Sequence, residues 1–207
     1  MIGTKFNAAL AAMGGALLFG GCAIDNHMAM GGADHAMAPN TMASEQSVEV
    51  GGAAMYPSRN IIQNAVNSRD HTTLVAAVQA AGLADTLSGP GPFTVFAPTN
   101  EAFDKLPPGT VQTLVQPANK PMLTKILTYH VVAGRLSAAD LSARVRAGGG
   151  RAMLTTVEGA PLTVTQSGGH ILITDAAGGV STVTIADVNQ SNGVIHVVDT
   201  VLMPPQG

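Results

Sequence analysis

TVFAPTNEAFD (residues 94–104) packs a strand, a turn and a helix start into eleven residues. Phe93-Thr94-Val95-Phe96 is made of β-branched and aromatic side chains, which suit a pleated, half-buried surface. A short helix is expected to begin at Thr99 or Asn100, because either side chain can accept from its free N–H groups. Glu101 and Asp104 favour its positive end, and Phe103 is expected to anchor it to a core. Pro107-Pro108-Gly109 then interrupts, and Thr110 to Val115 gives a further turn or two of helix.

Upstream, Asn60 to Val66 sets Ile61, Ile62, Ala65 and Val66 on one helical face. Thr72 to Ala81 does the same with Leu74, Val75, Val78 and Ala81, and Gly82 is a natural terminator. Ser88-Gly89-Pro90-Gly91-Pro92 breaks structure before the strand. Downstream, Asn119 is expected to cap a helix carrying the i, i+4 apolar pairs Met122/Ile126 and Leu123/Leu127. That helix gives way at Tyr129-His130 to extended Val131-Val132. Ser137 and Asp140 have capping-box spacing.

The remainder has a two-residue period. Ala152–Val157, Leu162–Gln166, Ile171–Thr174, Val180–Val188 and Val194–Val198 are separated by glycine-bearing turns, the pattern of antiparallel hairpins. Helices followed by a strand meander predict one α+β domain over residues 57–205. The last strand is expected to pair with earlier ones.

Bulk properties narrow the function. Of 207 residues, 11% are charged and 3% aromatic, and the net charge is −3. Residues 57–207 carry equal numbers of acidic and basic side chains, so the electrostatic footprint of a nucleic-acid binder is missing. No nucleic-acid partner is expected. Residues 1–22 combine Lys5, a short apolar run from Ala8 to Phe19, and Gly20-Gly21 before Cys22, the pattern of a signal peptide. Leu17 to Cys22 is similar to a bacterial lipobox, which would make Cys22 the acylated first residue of the mature chain. The lipid would then be the only membrane attachment. Residues 23–56 lack apolar periodicity and are expected to form a flexible tether. Within it His27, Met28, Met30, His35, Met37 and Met42 supply the soft and borderline ligands that suit copper. Copper binding there is one alternative function.

Three segments together resemble the signature of the fasciclin (beta-Ig-H3/fasciclin) domain family. They are FTVFAPTNEAFDKLP (93–107), TYHVVAGRL (128–136) and NGVIHVVDTVLMP (192–204). The resemblance implies a fasciclin-like fold, with N-terminal helices packed on an antiparallel β-sandwich or wedge. It implies an exported bacterial single-domain protein of the periplasm or cell surface. Such a protein acts as a non-catalytic binding or adhesion module, without a cofactor, toward a protein or polysaccharide of the envelope, matrix or a neighbouring cell. A monomer is expected.

The family-motif positions here are Thr99, Asn100, Phe103, Tyr129, His130, His196 and Asp199, expected to serve the fold first. Contacts with partners are implied for Tyr129 and His130. Arg144 and Arg146, beside Arg135 and Arg151, form a basic patch that could meet an anionic surface. Alternation puts His196 on the face opposite Ile195 and Val197. No catalytic residue is assigned, because no Gly-x-Ser-x-Gly elbow or His-Glu-x-x-His helix occurs. A small-ligand carrier with a cleft near His130 is the other alternative.

Overall fold

A computed structural model of the chain describes residues 47–205. Seven strands form one sheet in the order β4-β3-β9-β8-β7-β6-β5, where β3 is Phe93–Pro98, β4 Val131–Ala133 and β5 Arg151–Thr155. The others are β6 (Pro161–Ser167), β7 (His170–Thr174), β8 (Val180–Gln190) and β9 (Gly193–Val198). The α+β class is observed, with a refinement to the sheet. β3 and β9 run parallel, Phe93 opposite Gly193 through Pro98 opposite Val198, while every other neighbouring pair is antiparallel. The ends of the sheet also approach each other. Val132 bridges to Thr156, and the Val157 N–H donates to the Val131 carbonyl at 2.7 Å. The sheet therefore curls into a nearly closed barrel.

Both faces of β3 and β9 are covered, and side-chain alternation sends successive residues into two different cores. Val95, Ala97, Ile195 and Val197 face a core shared with the helices, while Phe96 and Val198 point into the barrel. The helical layer comprises α1 (Ile61–Ala65), α2 (Thr72–Ala81), α3 (Ala84–Ser88), α4 (Asn100–Asp104), α5 (Thr110–Leu114) and α6 (Lys120–Tyr129). Leu74, Val78, Phe103, Leu123 and Leu127 fill its interior. The barrel is plugged by α7 (Ala138–Ala147), which buries Leu141 and Val145 among Leu154, Leu162, Val164 and Ile173. Burial of each such aliphatic side chain is worth roughly 1.5–3 kcal/mol.

Local chemistry explains most boundaries. Asn60 and Gln63 close a capping box on α1, and Ser137 and Asp140 close one on α7. Gly82 ends α2 at φ 72°, where a Cβ would be strained. Asn119 stands at the expected start of α6 but does not cap it. Its Nδ2 reaches back to the Thr113 carbonyl at 2.8 Å, and Pro121 in the first turn has no N–H to satisfy.

Residues 48–55 differ from the tether expected over 23–56. They form a hairpin of β1 (Val48–Val50) and β2 (Ala53–Met55), whose Val50 and Met55 are buried in the helix-side core. Gly51 and Gly52 turn the hairpin at φ 60° and 72°, the geometry that primed turns require. The Gly51 carbonyl accepts from the Arg69 N–H at 3.2 Å, so the hairpin docks on the start of the helical layer. The short α3 also goes beyond the sequence pattern.

Candidate functional site

The motif positions are held by main-chain partners. Thr99 Oγ1 accepts from the Ala102 N–H at 3.3 Å and caps α4. Asn100 caps a different helix. Its Oδ1 accepts from the Thr73 N–H at 3.0 Å and the Thr72 hydroxyl at 3.2 Å, and its Nδ2 donates to the Arg69 carbonyl at 2.7 Å. The residue at the N-cap of α2, His71, makes no side-chain cap, so Asn100 supplies one from elsewhere in the fold. Phe103 is buried in the helix-side core. Asp199 Oδ1 accepts from the Thr182 N–H at 2.8 Å and from the Ser181 and Thr200 hydroxyls. Burial opposes its ionisation, but these donors and Lys105 at 3.7 Å outweigh it and hold its carboxyl below the usual range.

Tyr129 and His130 are 0% and 2% exposed, so the partner contact expected there has no surface through which to act. The Tyr129 hydroxyl donates to the Pro161 carbonyl and accepts from the Ala176 N–H, both at 2.9 Å. Burial pushes its pKa up. His130 Nδ1 lies 2.8 Å from the Ile126 carbonyl, and its Nε2 accepts from the Leu202 N–H at 3.0 Å. This pair of partners selects the neutral tautomer protonated on Nδ1. Burial lowers the His130 pKa to about 4, so that tautomer persists at neutral pH.

His196 is fully buried, stacked on Phe96 with ring centroids 5.8 Å apart. Its Nδ1 accepts from the Asp187 N–H at 3.3 Å and its Nε2 lies 2.8 Å from the Leu136 carbonyl. With Nδ1 accepting, the ring hydrogen is on Nε2, and burial lowers the His196 pKa. Asp187 takes φ 58° at an irregularity of β8, and its carboxylate accepts from the Ala138 N–H at 2.7 Å. A carboxylate at the first turn of α7 complements the helix dipole. His196 and Asp187 thus fix where α7 lies against the sheet.

That placement creates a groove of about 340 Å³ between α7 and strands β6, β7 and β8. Ser142, Gln166, His170 and Thr184 supply polar groups, while Ala138, Ala139 and Ala186 keep the walls low. His170 follows a two-residue turn in which Gly168 and Gly169 have φ 58° and 84°, setting Ser167 opposite His170. Arg146 follows Ser142 by one turn on α7, and Arg144 and Arg146 are both exposed. Arg135 donates to the Gln190 carbonyl at 2.6 Å, while Arg151 is exposed at the start of β5. The groove residues come from four elements, α7, β6, β7 and β8, and no local motif marks them.

Cys22 and the copper candidates His27, Met28, Met30, His35, Met37 and Met42 lie outside the described residues. Among the described residues, no group of three or more His, Cys, Asp or Glu side chains could hold a metal ion. No helix among them is long and apolar enough to cross a membrane.

Comparison with known proteins places this geometry. The fasciclin domain model matches residues 69–204. Protein sll1483 of Synechocystis is 45% identical over 162 residues, covering 78% of this chain and 83% of that protein. The cell surface glycolipoprotein MPB83 of Mycobacterium bovis is 35% identical over 161 residues, covering 75% of this chain and 64% of that one. The solved FAS1 domain pair of the insect cell adhesion molecule fasciclin I superposes with a TM-score of 0.65 at 20% identity. It covers 72% of this chain, and this chain spans about half, 52%, of that one.

Proposed function

The chain belongs to the fasciclin family, and from that premise we propose that it is a non-catalytic binding module of adhesion type at the cell surface. It is exported by the leader at residues 1–22, held by a lipid on Cys22, and meets a protein or polysaccharide of the envelope or a neighbouring cell. The observation that carries this reading is the α7 groove. It is an open groove with polar walls, and its volume lies in the roughly 300–1,000 Å³ range of ligand-binding clefts. Four short polar side chains can recognise hydroxyls and amides, and the arginines of α7 extend the surface toward anionic groups.

The bonding of two of the three buried histidines supports a binding role over catalysis by those rings. A general base needs a free lone pair within reach of substrate. Both ring nitrogens of His130 and of His196 are engaged by main chain inside the cores. The relatives' names agree with the setting, one being called a cell surface glycolipoprotein and one a cell adhesion molecule.

The test is adhesion and biofilm formation by a deletion strain complemented with variants. Wild-type restores attachment; Ser142→Trp, which fills the groove, and the pair Arg144→Ala with Arg146→Ala do not, although circular dichroism shows them folded. Full complementation by both variants sinks the groove as the contact surface. Mass spectrometry of the mature N-terminus tests the anchor, and an unmodified terminus downstream of Cys22 ends that part of the proposal.

A further inference from the structure

A second cavity lies between the helical layer and the inner strands, on the opposite side of β3 and β9 from the barrel core. It measures about 40 Å³. A water needs roughly 10–15 Å³ on the same scale, so the space takes about three non-hydrogen atoms. Its lining is aliphatic and aromatic except for two imidazoles, those of His71 and His130. His130 has both nitrogens engaged. His71 does not. His71 is 3% exposed, and its Nε2 is the one buried side-chain nitrogen or oxygen among the described residues that makes no hydrogen bond of good geometry, the Ala97 carbonyl lying near the ring without completing one. Leaving such an atom unpaired costs about 1–3 kcal/mol. Burial keeps this imidazole neutral, an effect that the Ala97 carbonyl and Asp70 oppose only in part.

The other ring nitrogen defines what could satisfy it. His71 Nδ1 sits 2.9 Å from the Ser68 hydroxyl. That hydroxyl can donate or accept, so Nε2 can present either a lone pair or a hydrogen. A hydroxyl group matches both states, whereas a carbonyl matches one. Water is a poor occupant, since buried waters usually make about three hydrogen bonds and these walls offer little beyond Nε2.

The entrance is also defined. Of all the lining residues only Ile62 of α1 and Val75 of α2 are partly exposed; the rest are buried. Val66, one turn beyond Ile62, is 50% exposed and continues an apolar strip outward. We propose that this cavity binds the hydroxyl-bearing end of a small apolar molecule, with His71 Nε2 as its polar contact and Ile62 and Val75 as its mouth. The hydroxyl and about two carbons occupy the cavity, and the rest of the apolar body lies along Ile62, Val75 and Val66. This site is separate from the α7 groove, and neither reading depends on the other.

The experiment titrates 1-pentanol and 1-fluoropentane, equal in chain length but unequal in hydrogen bonding, into the full chain. It follows methyl and His71 imidazole resonances by NMR. The expected result is saturable movement of the Leu74, Val95 and Val131 methyls, with the His71 Nε2 resonance shifted by pentanol and not by fluoropentane. His71→Phe weakens pentanol about tenfold and leaves fluoropentane unchanged. Val75→Trp closes the mouth and abolishes binding of both. The proposal is overturned if the inner methyls of the wild-type chain show no saturable movement, or if movement is confined to Val66 and other surface groups. Equal response of His71 Nε2 to both probes overturns it as well. The wild-type imidazole readout stands even where a His71 variant fails to fold.

Discussion

Acidification from pH 7 to pH 5 should weaken this domain through His130 before any carboxylate contributes. The folded pKa is about 4, against an unperturbed histidine value of about 6.5. Between those values the unfolded chain binds a proton that the folded chain does not, so stability rises with pH. The contribution is complete above about pH 6.5, falls as pH drops through that value, and is lost in full below about pH 4. The gap of about 2.5 pH units is worth about 3 kcal/mol over the whole range, and about 2 kcal/mol is gone by pH 5. The structural reason is that Nε2 accepts from the Leu202 N–H. A protonated ring has no lone pair there and sets one N–H donor against another. Asp199 and Asp140, whose carboxyls are held below their ordinary range, lose their contributions only at lower pH. His71 and His196 act in the same direction as His130, so the comparison must isolate one ring. The assay is urea unfolding followed by far-ultraviolet circular dichroism at pH 7, 6 and 5, since the chain has no tryptophan. His130→Gln should be less stable at pH 7 and should show a shallower dependence on pH than wild-type. A wild-type midpoint that stays flat from pH 7 to 5, or an equal slope in the variant, would refute the reasoning.

Tyr129→Phe strands the Pro161 carbonyl and the Ala176 N–H, and a loss of about 1–3 kcal/mol in chemical denaturation is expected. Asp187→Val forces a β-branched residue to φ 58° and removes the bond to the Ala138 N–H. It should cost about 2–4 kcal/mol and raise amide exchange in the first turn of α7, whereas Asp187→Asn should cost much less. Gly193→Ala would set a Cβ 2.2 Å from the Phe93 carbonyl oxygen across the parallel pair. The expected outcome is failure to fold or a midpoint lowered by at least about 3 kcal/mol, and a wild-type melting profile would show that β3 and β9 can part without penalty. Arg144→Ala and Arg146→Ala, both at exposed positions, should move stability by less than about 0.5 kcal/mol.

The strands were legible because their chemistry is local. Alternation between Ala152 and Thr174 and the glycines between runs are enough to specify hairpins, and β5, β6 and β7 form where that pattern places them. Thr99 and Ser137 are likewise local caps. What escaped the sequence depends on partners distant along the chain. Alternation puts His196 opposite Ile195 and Val197, yet whether that face is wet depends on α7 and Phe96 closing over it. By its position in the sequence Asn100 reads as a cap for its own helix, and only tertiary contact reveals that α2 is its client. The β1–β2 hairpin has strands of three residues, too short for a period to show. The groove was invisible for the same reason: Ser142, Gln166, His170 and Thr184 share no spacing that a linear pattern could detect.

The central position of β9 has a consequence for how the chain is made. It lies between β3 and β8, so an interior strand of the sheet is the last of the described strands to be made. Until residues 193–202 are available, β3 has no parallel neighbour, the wall between the two cores is incomplete, and His130 lacks the Leu202 N–H that completes its bonding. Contacts this distant in sequence are slow to form. A nascent chain of this topology stays open until β9 is made, because only then can β3 and β8 be joined.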